Sequence, residues 1–372
     1  MLSAPTATAR TGRPSRAADG AFGDRLRDAL GDPARLTAAV WHEVDARLEA
    51  AGPGAAELVA AARAADGGKH LRPGLVAASY LAHGGDDPAL LRRVAAAQQL
   101  VHLALCIHDD LIDGDLVRHG RPNVVGLTVS ASQAEGLGPA EAARRGEASA
   151  LLAGDLALNA AVLALVGAPA AESVRLGLAA AALTAVERAI AGELLDVRAE
   201  TLAPELSAPL LIATLKTASY SVTLPLLLGA IAAGADDAAT ARSIERTGTA
   251  LGIAYQLGDD DLGLFGDPAT TGKSTLSDLR DGKRTEHVRL ALEWSDGDDR
   301  AFIARVLGAP DATEADARRV REIVTATGAR AAVHGLIETH LDRGLGEART
   351  GLPVELADHL ARLAGALRHR DH

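Results

Sequence analysis

Apolar side chains recur at intervals of three and four residues, in segment after segment, from Ala21 onward. That spacing places them on one face of a helix, and turn sequences such as AGPG and HGGDDP separate the segments. Ala and Leu, which are strong helix formers, fill the segments, whereas the chain has only 2 Trp, 3 Tyr and 3 Phe and shows no convincing strand alternation. The pattern therefore predicts an all-α fold.

A single domain is the simplest organisation, because neither a linker nor a fixed-period repeat divides the helical segments. We expect this domain to span residues 23–372. It follows a tail, residues 1–22, that is rich in Ala, Thr, Pro, Ser and Arg and is predicted to be disordered. The tail lacks the apolar core of a secretory signal. The uncharged stretch 218–235 approaches the length of a membrane span, but its polar residues, proline and glycines favour a buried core helix, so no transmembrane segment is expected.

The charge balance limits the partners of this chain. A formal net charge of −11 argues against a nucleic-acid binder that relies on a basic face, so no nucleic-acid partner is expected. An anionic ligand must then be held by local basic residues or by metal ions. The single cysteine, Cys106, excludes an internal disulfide and fits a reduced cytoplasm, which is the expected location.

The sequence HDDLIDGDLVRHG, residues 108–120, ends an apolar helix with a cluster of acids. On a helix Asp109 and Asp113 lie one turn apart, on the stripe that also holds His102 and Cys106, with Asp110 beside them. Like charges at that spacing destabilise a helix unless something neutralises them. A solvated helix end is the simplest interpretation. Clustered oxygen ligands at the end of a buried face, however, suit Mg²⁺.

A second acidic cluster strengthens the metal interpretation. In YQLGDDDLGLFGDP, residues 255–268, another apolar helix ends with Asp259, Asp260 and Asp261. Neither cluster has the ligand spacing of an EF-hand. Two acidic helix ends that faced each other would form a divalent-metal cage for a diphosphate. Short basic motifs could hold the same anion: Lys69 and Arg72 in GGKHLRP, Arg118 and Arg121 in RHGRP, Lys216 with Thr217 in LKTASY, and Lys273 and Lys283 in TGKSTLSDLRDGKRT.

Taken in order, these motifs resemble those of the trans-isoprenyl diphosphate synthase, or polyprenyl synthetase, family, and in particular the geranylgeranyl diphosphate synthases. The markers run from Gly67 to Lys283 and are GGKHLRP, HDDLID, RHGRP, AGDLAL, GELLD, LKT, YQLGDDDLGLFGD, TGK and DGK. The resemblance implies a helical bundle around a deep central cavity, usually in a homodimer. It also implies a Mg²⁺-dependent enzyme that condenses isopentenyl diphosphate with an allylic diphosphate to form a trans-prenyl diphosphate.

The resemblance also assigns a role to each motif residue. The metal ligands, for three Mg²⁺, are Asp109, Asp110, Asp113, Asp259 and Asp260. The residues that hold the isopentenyl diphosphate are Lys69, Arg72 and His102, and those that hold the allylic diphosphate are Arg118, Lys216, Lys273 and Lys283, with His119 beside them. Lys216 counts with Thr217 and Gln256 as catalytic, since the last two would turn oxygen dipoles toward the allylic cation.

Some positions depart from the family pattern. Gly263 replaces the third aspartate of the second motif, and we expect metal binding to survive, because Asp261 and Asp267 lie nearby and Asp259 is the main ligand. His70 and His119 stand where arginines are usual, which would weaken diphosphate binding or make it more dependent on pH. In GELLD, Glu193 occupies a common glutamine position, and its effect is not predicted.

The product length follows from residues one turn below the metal ligands, where the family tends to place bulky aromatics to stop growth at fifteen carbons. Ala104 and Leu105 are not bulky, which favours twenty carbons, or twenty-five and more if Val101 and Gln98 leave the shaft open. Two alternatives remain. One is a terpene cyclase on the same fold, against which Lys69, Arg72 and His102 argue. The other is a modifying subunit without activity of its own.

Overall fold

The computed structural model describes residues 16–118, 120–201, 207–266 and 276–368, and it is helical apart from one short hairpin. This confirms the predicted all-α fold. The helices before the hairpin are α1 (Arg16–Leu30), α2 (Ala38–Leu48), α3 (Pro53–Ala65), α4 (Leu71–Ala82) and α5 (Pro88–Ile112), and the hairpin pairs β1 (Val117–Arg118) with β2 (Arg121–Pro122). After it come α6 (Val124–Ala134), α7 (Pro139–Val166), α8 (Glu172–Thr201), α9 (Pro209–Ile212), a π-helix (Ala213–Thr223), α10 (Leu224–Ala232), α11 (Ala238–Phe265), α12 (Ser277–Arg280), α13 (Glu286–Trp294), α14 (Gly297–Val306), α15 (Glu314–Ala326), α16 (Ala329–Gly351) and α17 (Val354–Arg368). Short 3₁₀ turns flank α2 at Pro33–Arg35 and Glu49–Ala51.

The N-terminal boundary of the domain lies earlier than the sequence indicated. Helix α1 begins at Arg16, and Phe22 on it is only 3% exposed, with its ring edge-on to His359 of α17 at a centroid distance of 6.0 Å. The prediction of a disordered tail was therefore wrong for residues 16–22, because an aromatic side chain anchors this helix to the bundle. Residues 1–15 lie outside the described part of the chain.

Small side chains let the central helices pack closely. Ala97 on α5 and Ala153 and Ala157 on α7 are fully buried, so the backbones of these two helices approach each other without large side chains between them. One core cluster contains residues from each helix between α1 and α8, from α10 and α17, and from parts of α11 and α16. A second contains residues from each helix between α11 and α16. Alanine and leucine thus replace the aromatic packing that the chain lacks.

Within the described residues, three helical stretches have the length and apolar composition to cross a membrane. They are Pro88–Ile112, Pro139–Val166 and Pro209–Ala232, and 72%, 44% and 61% of their apolar windows are buried inside the structure. The third contains most of the stretch 218–235, in which Leu224, Leu226 and Leu228 are fully buried. These leucines lie in the core, whereas the absence of a transmembrane segment stays a prediction.

Helix α5 carries the first acidic motif to the end of the bundle. Its N-terminus is capped by Asp87, whose carboxylate accepts from the amides of Ala89 and Leu90, and it ends at Ile112. Gly114 follows with a φ of +70°, a conformation that glycine adopts without strain, and the chain reverses into the β1–β2 hairpin. This reversal brings Arg118 back over the acids that end the helix.

The π-helix lies between α8 and α11, and glycines on both neighbours allow the close contact. A Cβ atom on Gly192 of α8 would lie 2.3 Å from the amide nitrogen of Lys216, and one on Gly252 of α11 would lie 2.4 Å from the Cβ of Ala218. Wide π-helical turns are uncommon and are frequent at functional sites. The LKTASY motif is carried by this π-helix.

Candidate active site

Three carboxylates converge at the end of α5. Oxygen atoms of Asp109 and Asp113 on α5 and of Glu193 on α8 all lie within 4.8 Å of one another, and each side chain is partly exposed. This confirms that the two aspartates share one helix face. The sequence left Glu193 without a role, although the GELLD motif contained it. Among the described residues, the group formed by these three side chains has the oxygen donors that Mg²⁺ prefers.

Lys216 is enclosed by carboxylates. Its Nζ lies 2.7 Å from Asp196, 2.8 Å from Glu193 and 3.1 Å from Asp109. Burial alone would lower the pKa of Lys216, but the three carboxylates outweigh burial and raise that pKa far above its usual range. The ammonium group therefore stays charged. Burial likewise would raise the pKa of Asp109, but the charges of Lys216, Arg118 and Lys283 overcome it and lower the pKa.

Arg118 bridges the two consecutive aspartates of the first motif. Its Nη2 donates to Asp109 at 2.7 Å, and its Nε donates to Asp110 at 2.7 Å. The Asp110 side chain is 5% exposed and lies outside the group of three carboxylates, so its predicted role as a metal ligand stays a prediction. Lys283 is the third cation at these carboxylates, and its Nζ lies 3.2 Å from Asp113.

A second basic cluster lies on α4 and α5. Arg72 donates to the Ser221 hydroxyl from Nη2 at 2.8 Å, and its Nη1 lies 3.1 Å from His102 Nε2. Both side chains rest on Tyr220, whose ring centroid is 5.2 Å from the guanidinium carbon and 6.0 Å from the imidazole centroid. The structure thus joins two residues that the resemblance placed at one diphosphate. Sequence reasoning missed Tyr220 and Ser221, although they follow directly on the LKT motif.

Lys69 lies apart from this cluster, exposed in the loop that leads into α4. Within the part of the chain that the structure describes, no hydrogen bond or ion pair of Lys69 is found. Its neighbour His70 adopts a φ of +50°, a left-handed conformation that a histidine seldom takes, just before α4 begins. The ammonium group of Lys69 is therefore available to a ligand.

The lone cysteine lies between the two basic clusters. The Sγ of Cys106 is 3.4 Å from His102 Nδ1 and 3.6 Å from Arg118 Nη1. Burial raises the pKa of this thiol above its usual range. One side chain of α5 therefore contacts both of the sites at which the resemblance places a diphosphate.

The predicted catalytic residues form a hydrogen-bonded chain. The hydroxyl of Thr217 donates to Gln256 Oε1 at 2.6 Å, and Gln256 Nε2 donates to Asp260 at 2.7 Å. This chain connects the π-helix to the second acidic motif on α11, where Asp259 is partly exposed. In the described residues no group of three metal ligands includes Asp259 or Asp260, so their metal binding stays a prediction.

Asp261 does not compensate for the aspartate that is missing at Gly263. It is 2% exposed and accepts two hydrogen bonds from Arg330, at 3.0 and 2.9 Å, with His287 Nε2 at 3.1 Å. Burial would raise the pKa of Asp261, but hydrogen bonds from His287 and Arg330 lower it well below its usual range. This carboxylate turns into the core, and the expectation that metal binding survives the loss at Gly263 stays a prediction. Asp267, Lys273 and His119 lie outside the described residues.

Comparisons with known proteins identify the family of this chain. Residues 57–324 match the family model described as polyprenyl synthetase. The chain is 34% identical to the geranylgeranyl diphosphate synthase of Mycobacterium tuberculosis over 269 residues, which cover 71% of this chain and 70% of that protein. It is 31% identical to the (2E,6E)-farnesyl diphosphate synthase of the same species over 303 residues, which cover 80% of this chain and 78% of that protein.

Solved structures show the same fold. The geranylgeranyl pyrophosphate synthase from Corynebacterium glutamicum, complexed with isoprenyl diphosphate and magnesium, superposes with a TM-score of 0.83 at 29% identity, covering 94% of this chain and 98% of that one. The polyprenyl synthase from Caulobacter crescentus, complexed with calcium and isoprenyl diphosphate, gives a TM-score of 0.67 at 26% identity and covers 96% of each chain. With its matched domain, its fold and its motif residues brought together, this chain belongs to the polyprenyl synthetase family and is a trans-prenyltransferase.

Proposed function

We propose that this protein condenses isopentenyl diphosphate with an allylic diphosphate and that its main product is geranylgeranyl diphosphate. The observation that carries the proposal is the carboxylate group of Asp109, Asp113 and Glu193, which is surrounded by the cations Arg118, Lys216 and Lys283. A site that offers oxygen ligands and cations together suits a metal-bound diphosphate leaving group.

The side chains divide the work. Mg²⁺, of which we propose three ions, would supply positive charge to the departing diphosphate when bound. Asp109, Asp113, Asp259 and Asp260 would hold the ions, while Lys216 and Lys283 would exchange their carboxylate partners for phosphate oxygens. Arg72 and His102 would hold the diphosphate of isopentenyl diphosphate with Lys69. The Thr217 and Gln256 oxygens would face the positive charge that develops on the allylic carbon.

The α5 helix supports a twenty-carbon product. Leu105, one turn before Asp109, is partly exposed, whereas Gln98, two turns deeper, is fully buried and donates to the backbone carbonyl of Tyr220 at 3.0 Å. Gln98 therefore occupies the depth along α5 that a longer prenyl product would have to reach. Ala104 is also fully buried, and it shares the face of His108, which packs against Gly154 of α7. It thus lies on the side of α5 away from the metal ligands.

We predict that Leu105→Phe shortens the main product by one five-carbon unit, because the ring would fill the space below the metal ligands. The measurement is chain-length analysis of dephosphorylated products made from labelled isopentenyl diphosphate. Ala104→Phe serves as the comparison, since its ring would press into α7 and cost about 1–3 kcal/mol of stability. An unchanged product distribution in Leu105→Phe would place the floor of the cavity elsewhere.

An apolar face on α7 and α8 supports a homodimer. Large side chains on α8 recur at helical spacing and are 38–60% exposed: Leu176, Leu183, Ile190, Leu194 and Val197. Leu151, Leu152, Leu163 and Val166 on α7 are 45–54% exposed. Exposed apolar side chains that recur along a helix mark an interaction surface, and a second copy of the chain is the proposed occupant. We also place the enzyme in the cytoplasm, where the reduced thiol of Cys106 would persist.

One assay tests the proposal. The purified protein is incubated with Mg²⁺, labelled isopentenyl diphosphate and, in turn, dimethylallyl, geranyl and farnesyl diphosphates. We expect the label in geranylgeranyl diphosphate. No label in any prenyl product would overturn the synthase proposal, whereas a cyclic hydrocarbon made from a prenyl diphosphate alone would support the terpene cyclase.

A further inference from the structure

Glu193 stands where the family commonly has a glutamine, and it faces the two aspartates of the first motif. The geometry points to Glu193 as a third carboxylate ligand, which lets this chain bind one divalent cation before any diphosphate is present. This inference rests on the proposed function, because it concerns the metal that the enzyme would use.

The three side chains have the reach for one ion. They come from two helices, α5 and α8, and already place one oxygen each within 4.8 Å of the others. Around an octahedral Mg²⁺, ligands at about 2.1 Å put neighbouring oxygens about 3 Å apart. Small rotations of these partly exposed side chains would bring their oxygen atoms from within 4.8 Å to about 3 Å of one another. The ligand sphere would still have three positions for water or phosphate oxygens.

Asp196 makes Glu193 dispensable for holding Lys216. The ammonium group has partners at 2.7 Å in Asp196 and at 3.1 Å in Asp109, in addition to Glu193 at 2.8 Å. Asp196 lies one turn after Glu193 on α8 and is outside the group of three carboxylates. When Glu193 turns toward a cation, Asp196 keeps Lys216 in place. The two acids of GELLD therefore have separate roles.

The carboxylates of this group outnumber its cations, and this excess of negative charge favours the binding of a divalent cation. Among the described residues, the ion pairs of this group join five carboxylates, Asp109, Asp110, Asp113, Glu193 and Asp196, to three cations, Arg118, Lys216 and Lys283. One divalent cation supplies the two positive charges that are missing. With glutamine in place of Glu193 only one would be missing, and a divalent ion would need the negative charge of a diphosphate to balance it.

The test measures metal binding without turnover. The full chain is freed of metal with a chelator and titrated with Mn²⁺ in the absence of any diphosphate, and free Mn²⁺ is followed by electron paramagnetic resonance. We expect the wild-type chain to bind one ion tightly. Glu193→Gln should raise the Kd at least about tenfold, since even residues that only orient ligands change metal affinity by that factor.

Two control variants separate a ligand from a positioning residue. Asp196→Asn removes the same negative charge and a partner of Lys216 but no proposed ligand, so it should weaken Mn²⁺ binding far less than Glu193→Gln does. Glu57→Gln makes the same charge change at an exposed position of α3 and should keep the wild-type affinity. Unchanged affinity in Glu193→Gln would overturn the inference, and so would an equal loss in Asp196→Asn. Circular dichroism melting curves confirm that each variant is folded.

The condensation assay on the same preparations distinguishes this inference from the proposed function. If the wild-type chain incorporates label but Glu193→Gln binds Mn²⁺ as tightly as the wild type, the inference is overturned and the function stands. A different result is that no preparation incorporates label and that Glu193→Gln is the only variant with much weaker Mn²⁺ binding. The proposed function is then overturned, whereas the assignment of Glu193 as a metal ligand stands.

Discussion

Asp109→Ala should lower prenyl diphosphate formation at saturating Mg²⁺ by about a thousandfold, the factor that corresponds to several kcal/mol of lost charge stabilisation. Asp109 is the carboxylate that contacts both Arg118 and Lys216 and belongs to the group with Asp113 and Glu193. Its removal therefore takes away a metal ligand and also releases two cations from their positions. Initial rates with labelled isopentenyl diphosphate measure the effect.

The variant should remain folded, which makes its activity interpretable. Lys216 keeps Glu193 and Asp196 as partners, and Arg118 keeps Asp110. Asp115→Ala is a matched control, because Asp115 follows the same helix end but is exposed. We expect near wild-type rates from this control. Substantial activity in Asp109→Ala would contradict the metal assignment.

Asp261→Ala should act on stability instead, lowering the free energy of unfolding by about 3 kcal/mol, as expected when one partner of a buried ion pair is removed. The change leaves His287, which is fully buried, and Arg330 without their shared carboxylate. The estimate is at the low end of the range because the Arg330 side chain is still 35% exposed. Urea denaturation followed by circular dichroism measures the loss.

The pH dependence of this loss has a definite sign. Because the folded protein lowers the pKa of Asp261, the carboxylate contributes stability at every pH above its unfolded pKa of about 4. That contribution is lost as the pH falls below this value, so the difference between wild type and variant should shrink only in acid. If Asp261→Ala instead kept its stability and lost Mn²⁺ affinity, Asp261 would be the metal ligand that the sequence suggested.

Local patterns allowed the helices and the first acidic motif to be predicted. Apolar spacing and helix-forming residues act within a few turns, so α5 and the shared face of Asp109 and Asp113 followed from the sequence. The same reasoning failed at Arg16–Phe22, where one buried aromatic ring orders a segment of tail-like composition. It also gave no hint of the π-helix, because apolar residues at 213–223 do not distinguish wide turns from ordinary ones.

Partners distant in the chain could not be predicted in the same way. Asp261 and its neighbour Asp260 look alike in sequence, but Asp261 is buried in the core, where it binds Arg330, 69 residues later in the chain. Glu193 acquires a function only because α8 lies beside α5. The motif resemblance located the reactive residues, whereas the pairing of carboxylates with cations required the packed helices.

The π-helix restricts how this chain can change in length. A π-helical turn holds more residues than an α-helical turn, so removing one residue between Thr217 and Tyr220 would change which side chains of this segment face the acids and which face Arg72. Either Lys216 would keep its contacts with the acids while Tyr220 and Ser221 lost theirs with Arg72, or Lys216 would lose its contacts while Tyr220 and Ser221 kept theirs. A single-residue deletion between Ala213 and Thr223 should therefore disturb both halves of the site at once.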